Sequence, residues 1–219
     1  MASCCPHPTS SQSTGSFFSK RAARYARSFK RGKLEPIQQF IIDIVSKDAL
    51  EGKHLLDIGS GVGKLHLSLL RSGASSATAI DMSEEMLEHA KRFAHNYGIE
   101  DKISYRLGDF LSMADSIPDS DITMLDKVIC CYEDLPGLLS ASAGKTRSTL
   151  ALTFPADNFM MRTIFTLQIA AAVVFRAGFR PYWHDWTVIP TILSQHGFQR
   201  IESTSRYNWQ GAVYKRTDR

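Results

Sequence analysis

The chain has 219 residues, 43% of them hydrophobic and 22% charged, which suits one sizeable globular domain and leaves too little for two. No run reaches the roughly 18 uninterrupted apolar residues of a membrane span, and the polar, serine-rich opening carries no secretory pattern. The net charge of +4 is uneven: residues 1–34 hold seven basic residues and no acidic one, leaving 19 basic against 22 acidic residues elsewhere. Four cysteines form two adjacent pairs, Cys4–Cys5 and Cys130–Cys131, a spacing that suits no disulfide framework. A reducing setting follows, with the cytoplasm as the expected compartment.

In chain order, residues 1–16 are rich in Ser, Thr and Pro and predict a flexible tail. Phe18, Ala22, Tyr25 and Phe29 then recur at helical spacing among basic residues. The aromatic stripe is expected to pack over a ligand pocket, with Tyr25 and Phe29 closing it. Contact of the basic face with an anionic membrane surface or with phosphate is a second reading. An organellar transit peptide over 1–33 is a third. Pro36 opens a second helix over about 36–49, with Ile37, Phe40, Ile41, Ile44 and Val45 on one face.

From residue 53 short apolar runs predict strands over 54–58, 76–80, 103–107, 121–126 and 148–154. Helical patterns over 63–72, 84–97 and 133–143 separate them. This alternation implies a doubly wound α/β, Rossmann-like parallel sheet. An apolar helical stretch over 157–177 follows, then "YWHDW", a helix near 187–196 and two strands that close the sheet as an antiparallel hairpin.

The stretch "LLDIGSGVGKL" (55–65) sits where strand 1 meets the first crossover helix, the place where open α/β sheets bind ligands. Glycine there permits positive φ and lets a ligand approach the backbone. A dinucleotide fingerprint counted from Gly59 and Gly61 needs its third glycine at 64, which is Lys64; the glycine is Gly63. A phosphate loop fails too, because no Ser or Thr follows Lys64. Asp57 precedes the loop by two residues and favours a cationic ligand over a diphosphate. S-adenosylmethionine, with an ammonium, a sulfonium and no phosphate, fits that charge. Asp81 in "AIDMS" lies where a carboxylate meets ribose hydroxyls. In "GDF", Asp109 is placed to accept from an adenine amine and Phe110 to pack on the ring.

The series "LDIGSGVG", "AIDMS", "GDF" and "MLDKVICCY" resembles the class I S-adenosylmethionine-dependent methyltransferases over about residues 36–155. The resemblance implies a seven-stranded sheet with a reversed terminal strand. It also implies that Asp57, Gly59, Gly61 and Gly63 hold the methionine end, Asp81 the ribose, and Asp109 and Phe110 the adenine, with Leu125 or Asp126 lining the cofactor; Ser60, Met82 and Tyr25 are further expected cofactor contacts. In order of parts the chain is similar to the magnesium-protoporphyrin methyltransferases, through Tyr25, "LDKVICCYED" and "LTFPADNFMMRTIF". The insert matches only loosely, so the tetrapyrrole substrate does not carry over. The expected layout is a helical cap at 17–50, a cofactor-binding half at 51–155, a helical insert or substrate lid after strand 5 at 156–197, and a closing hairpin at 198–219, all one domain.

Methyl transfer from a sulfonium is an in-line displacement that needs a base only for a protonated acceptor. The candidate catalytic residues are His184, Tyr132 and Asp126. Asp185, Lys127 and His66 are further candidates for substrate contact. The expected acceptor is a small, hydrophobic molecule methylated on oxygen, then sulfur or nitrogen. No Asn-Pro-Pro-Tyr segment follows strand 4, which disfavours nucleic acid and protein glutamine. RNA or protein methylation through the basic helix, and a non-catalytic cofactor-binding module, are the alternatives. Cys130 and Cys131 are expected as small buried hydrophobes. Cys4, Cys5 and His7 make an incomplete metal site, so no metal is expected.

Overall fold

The structure is a computed structural model that describes residues 10–30, 33–175 and 179–217. The cysteine pair Cys4–Cys5 with His7 lies outside them. Among the described residues, no helix is long and apolar enough to cross a membrane.

Strands β1 (His54–Ile58), β2 (Ser76–Asp81), β3 (Ile103–Leu107), β4 (Ser120–Leu125), β5 (Thr146–Pro155), β6 (Phe198–Arg206) and β7 (Trp209–Arg216) form one sheet in the order β3-β2-β1-β4-β5-β7-β6. β1 to β5 pair in parallel, whereas β7 runs antiparallel to both β5 and β6. The doubly wound sheet with a reversed last strand is the expected one. The order reverses at β1, which pairs β2 on one side and β4 on the other, so the ends of these strands open a crevice.

Side chains alternate across the central strands and are buried on both faces, which is why those strands read as unbroken apolar runs. On one face Leu56, Ile58, Leu125 and Leu152 pack with helices α7 (Leu135–Gly144) and α9 (Val188–Gln195). On the other, Leu55, Ile122, Met124 and Val213 pack with α3 (Pro36–Val45) and α4 (Lys64–Arg71). Helix α5 (Glu84–Asn96) starts at Ser83, whose hydroxyl accepts the Met86 N–H and caps the helix.

The region before α3 departs from expectation twice. Residues 10–16, expected as flexible tail, belong to helix α1 (Ser10–Ser19), and the single expected helix is broken by a turn before α2 (Ala22–Lys30). Tertiary contact overrides the weak helical propensity of a Ser-rich segment. The Phe17 and Phe18 rings meet Phe179 at 4.4 and 5.4 Å. Ser19 and Ser83 share a hydroxyl hydrogen bond of 2.9 Å. Gly15 approaches so closely that a Cβ there would lie 2.3 Å from the Met82 carbonyl oxygen.

Helix α8 (Phe159–Val174) follows β5 as the expected insert. Only Met161 and Phe165 are buried, and Phe159, Leu167 and Val174 face outward.

Candidate functional site

The loop from Gly59 to Gly63 leaves the end of β1 with three left-handed glycines, at φ +65° (Gly59), +53° (Gly61) and +88° (Gly63). Side chains there would be strained. At Gly59 a Cβ would also strike Val128 at 2.4 Å. At Gly61 it would meet nothing within 4 Å, because that position faces the cleft. The loop is pinned by the Ser60 N–H to the Ile80 carbonyl and by the Gly61 N–H to Asp81 Oδ2 (2.7 Å). The glycines thus expose backbone at the mouth of a cleft of about 960 Å³, counted with the space open to solvent.

The wall of the cleft gathers Asp57, Gly59, Ser60, Gly61, Asp81 and Met82 from the ends of β1 and β2. Phe110, Asp126 and Tyr132 contribute from beyond β3 and β4, and Tyr25 from α2. Three expected cofactor residues stand off it. Gly63 caps α4. Leu125 is fully buried in the core. Asp109 accepts the Tyr132 hydroxyl (2.7 Å), the Leu111 N–H and the Ser112 hydroxyl, so its carboxylate caps the short helix α6 (Phe110–Met113). Phe29, expected to close the pocket, packs edge-on against Phe93 instead, while Phe18 joins Tyr25 on the wall.

Several charged groups are in unusual surroundings. Asp57 is buried and takes the Nδ1 of His66, itself fully buried, at 2.7 Å. His66 is therefore a support behind the loop and touches no cavity, contrary to the expectation of substrate contact. Asp81 also accepts the Ser83 N–H (2.8 Å), and enclosure by protein pushes its carboxyl up to about 6 against the pull of these donors. Asp126 accepts Gln38 Nε2 (2.6 Å) on one oxygen and Thr153 Oγ1 (2.7 Å) on the other, and burial raises its carboxyl too.

His184 lies behind the cleft. Its Nε2 contacts the Tyr132 carbonyl (2.8 Å) and its ring stacks on Tyr182, so it clips the turn after β4 and is not among the residues lining the cleft. Asp185 caps Thr187 through its N–H and hydroxyl. The Tyr132 hydroxyl is committed to Asp109, and burial raises its pKa far above the ordinary phenol. Among the described residues of 156–197, none lines the cleft. Cys130 is buried in the core as expected, whereas Cys131 reaches the cleft.

The sequence reading passed over Gln38, Glu35 and Lys64. Gln38 accepts the Glu35 N–H at 3.0 Å and donates to Asp126, tying the start of α3 to the end of β4. The spacing Glu35-x-x-Gln38 ahead of an apolar run is the one signal that could have found it. Lys64, Lys127 and Glu35 share the same wall. Glu35 lies 3.8 Å from Lys64 and in close contact with Lys127. Lys127 holds φ +60°, a left-handed backbone unusual for a residue with a side chain.

One observation tests the fit to S-adenosylmethionine directly. The Ser60 hydroxyl is buried on this wall with no protein partner, which asks for a polar ligand atom. Bare loop backbone, that hydroxyl and the Asp81 carboxylate suit an amino-acid nucleoside.

Comparison with known proteins agrees. Residues 55–143 match the family model of a methyltransferase domain. The chain is 29% identical over 156 residues to the ubiquinone biosynthesis O-methyltransferase of Neisseria meningitidis serogroup C, covering 70% of this chain and 64% of that protein. It is 21% identical over 153 residues to the ribosomal protein L11 methyltransferase of an Exiguobacterium strain, covering 65% and 49%. The chain thus spans about half of one of these curated relatives and just under two thirds of the other. The fold superposes on the magnesium protoporphyrin IX methyltransferase of Synechocystis PCC 6803 crystallised with bound SAH, with TM-score 0.72, 21% identity and coverage of 93% and 98%. It also superposes on an O-methyltransferase family protein of Burkholderia thailandensis, with TM-score 0.68, 14% identity and coverage of 92% and 62%. Residues 55–143 thus match a methyltransferase domain, and sheet order and glycine loop give the chain a Rossmann-like methyltransferase fold.

Proposed function

We propose that the chain methylates a small-molecule acceptor, most readily on oxygen, with S-adenosylmethionine as donor. The observation that carries this is the carboxylate-backed bend at the end of β1, with left-handed Gly59 and Gly61 and the unpartnered Ser60 hydroxyl. Backbone at Gly59–Gly61 and the Ser60 hydroxyl would hold the amino-acid end. Asp81 would meet the ribose, and Phe110 and Met82 the base. Bound there, the donor supplies an already activated methyl group. The chain's own contribution is then alignment and exclusion of water, worth up to about 7–11 kcal/mol of the barrier. The relatives named as O-methyltransferases support oxygen as the acceptor atom.

Calorimetric titration with S-adenosylmethionine and with NAD tests the donor, and a screen of acceptors with the demethylated product as readout tests the transfer. The Gly61→Val variant places a branched side chain where the cleft is open and should abolish donor binding, while circular dichroism stays native. NAD binding, or unchanged donor affinity in the variant, would refute the assignment.

A further inference from the structure

Seen from the acceptor, the described wall of the cleft holds its carboxylates in other contacts and offers two cations. Its carboxylates are Glu35, Asp57, Asp81 and Asp126, beside the Tyr25 and Tyr132 phenols and the Cys131 thiol. Asp57 is held by His66, Asp81 by the Gly61 and Ser83 N–H groups, and both oxygens of Asp126 by Gln38 and Thr153. Tyr132 donates to Asp109, and the Cys131 thiol lies 3.7 Å from the Lys127 carbonyl, which accepts from it. Glu35 is shared by two ammonium groups. Neither His66 nor His184 is on the wall.

The two ammonium groups are unusually enclosed. The Lys64 side chain is 8% exposed and the Lys127 side chain 21%, whereas Glu35 between them is 41% exposed. Lys127 also lies 4.9 Å over the Trp209 ring, which holds its chain in place. Burial depresses the Lys64 ammonium, a cost that a well-seated anion would offset. Glu35, the exposed member on the chain leading into α3, stands where an incoming carboxylate would sit.

Resting on the methyltransferase reading above, we infer that the acceptor is an oxygen already ionised at neutral pH, a carboxylate or an acidic phenol, held between Lys64 and Lys127 in the place Glu35 takes in this structure. Such an oxygen attacks the sulfonium methyl carbon with a lone pair. The carbon–sulfur bond breaks and its electron pair stays on sulfur. An anion and a cation become a neutral ester or ether and a neutral thioether, and no proton has to leave. That the described wall carboxylates are committed to other partners suits such a substrate class.

Equilibrium binding to the full chain tests this, with benzoate and benzyl alcohol as probes in the presence of S-adenosylhomocysteine, followed by ligand-observed NMR. Benzoate should bind at least about tenfold tighter than benzyl alcohol. Lys127→Met and Lys64→Met should each weaken benzoate by about tenfold while donor affinity by calorimetry moves less than about threefold. Lys127→Arg should retain benzoate binding, which separates loss of charge from loss of fold. Equal binding of the two probes would overturn the inference. So would variants that lose S-adenosylmethionine but keep benzoate, since the lysines would then serve the donor's own carboxylate. A wild-type chain that binds no S-adenosylmethionine at all would instead remove the methyltransferase reading, and this inference with it.

Discussion

His66→Ala probes the support behind the glycine loop. His66 is wholly buried, its Nδ1 2.7 Å from a carboxylate that is itself buried. Deleting one partner of such a buried pair costs about 3–5 kcal/mol, because the other charge is left without compensation. The His66 Nε2 has no partner of its own, and removing that orphan offsets about 1 kcal/mol. The net expectation is a loss of about 2–4 kcal/mol. For a chain of this length that is a fall in melting temperature of very roughly 10 °C. His66→Asn should restore about half, because its amide nitrogen lies near where Nδ1 was and again donates to Asp57. Urea and thermal unfolding of the three proteins measure this. A loss below about 1 kcal/mol in the alanine variant, or an asparagine variant no better than alanine, would refute the reasoning.

Other consequences can be checked as directly. Asp81 titrates near 6 in the free protein, and ribose hydroxyls donate best to its ionised form, so binding lowers its pKa. Donor affinity should be flat above about pH 6 and fall as pH drops through it, with protons released on binding below that point; affinity independent of pH from 5 to 8 would contradict the role given to Asp81. Tyr132→Phe removes the hydroxyl that caps on Asp109. It should cost about 1 kcal/mol of stability and leave the turnover number within a few-fold, whereas loss of about a thousandfold would restore Tyr132 as an acid or base.

The sheet was legible because parallel strands buried on both faces announce themselves as apolar runs, and the loop because three spaced glycines have few other uses. What escaped is tertiary in origin. Residues 10–16 read as tail because Ser and Thr have weak helical propensity, and the helix there rests on contacts with distant Met82, Ser83 and Phe179. Asp109 reads as a ligand group and in the fold caps a helix, since both uses ask for the same carboxylate. The histidine of "YWHDW" has the right neighbours for a base, and the fold spends it on a carbonyl of the turn after β4. Lys64 and Lys127 are far apart in sequence, and no spacing rule brings them to one wall.

β7 occupies the gap between β5 and β6 and packs against α3 as well. The sheet resembles an arch whose middle stone is laid last. During synthesis β6 has no strand to pair with until residues 209–216 have left the ribosome, and α3 must wait with one flank bare. Removing these eight residues would therefore sever two strands and a helix at once.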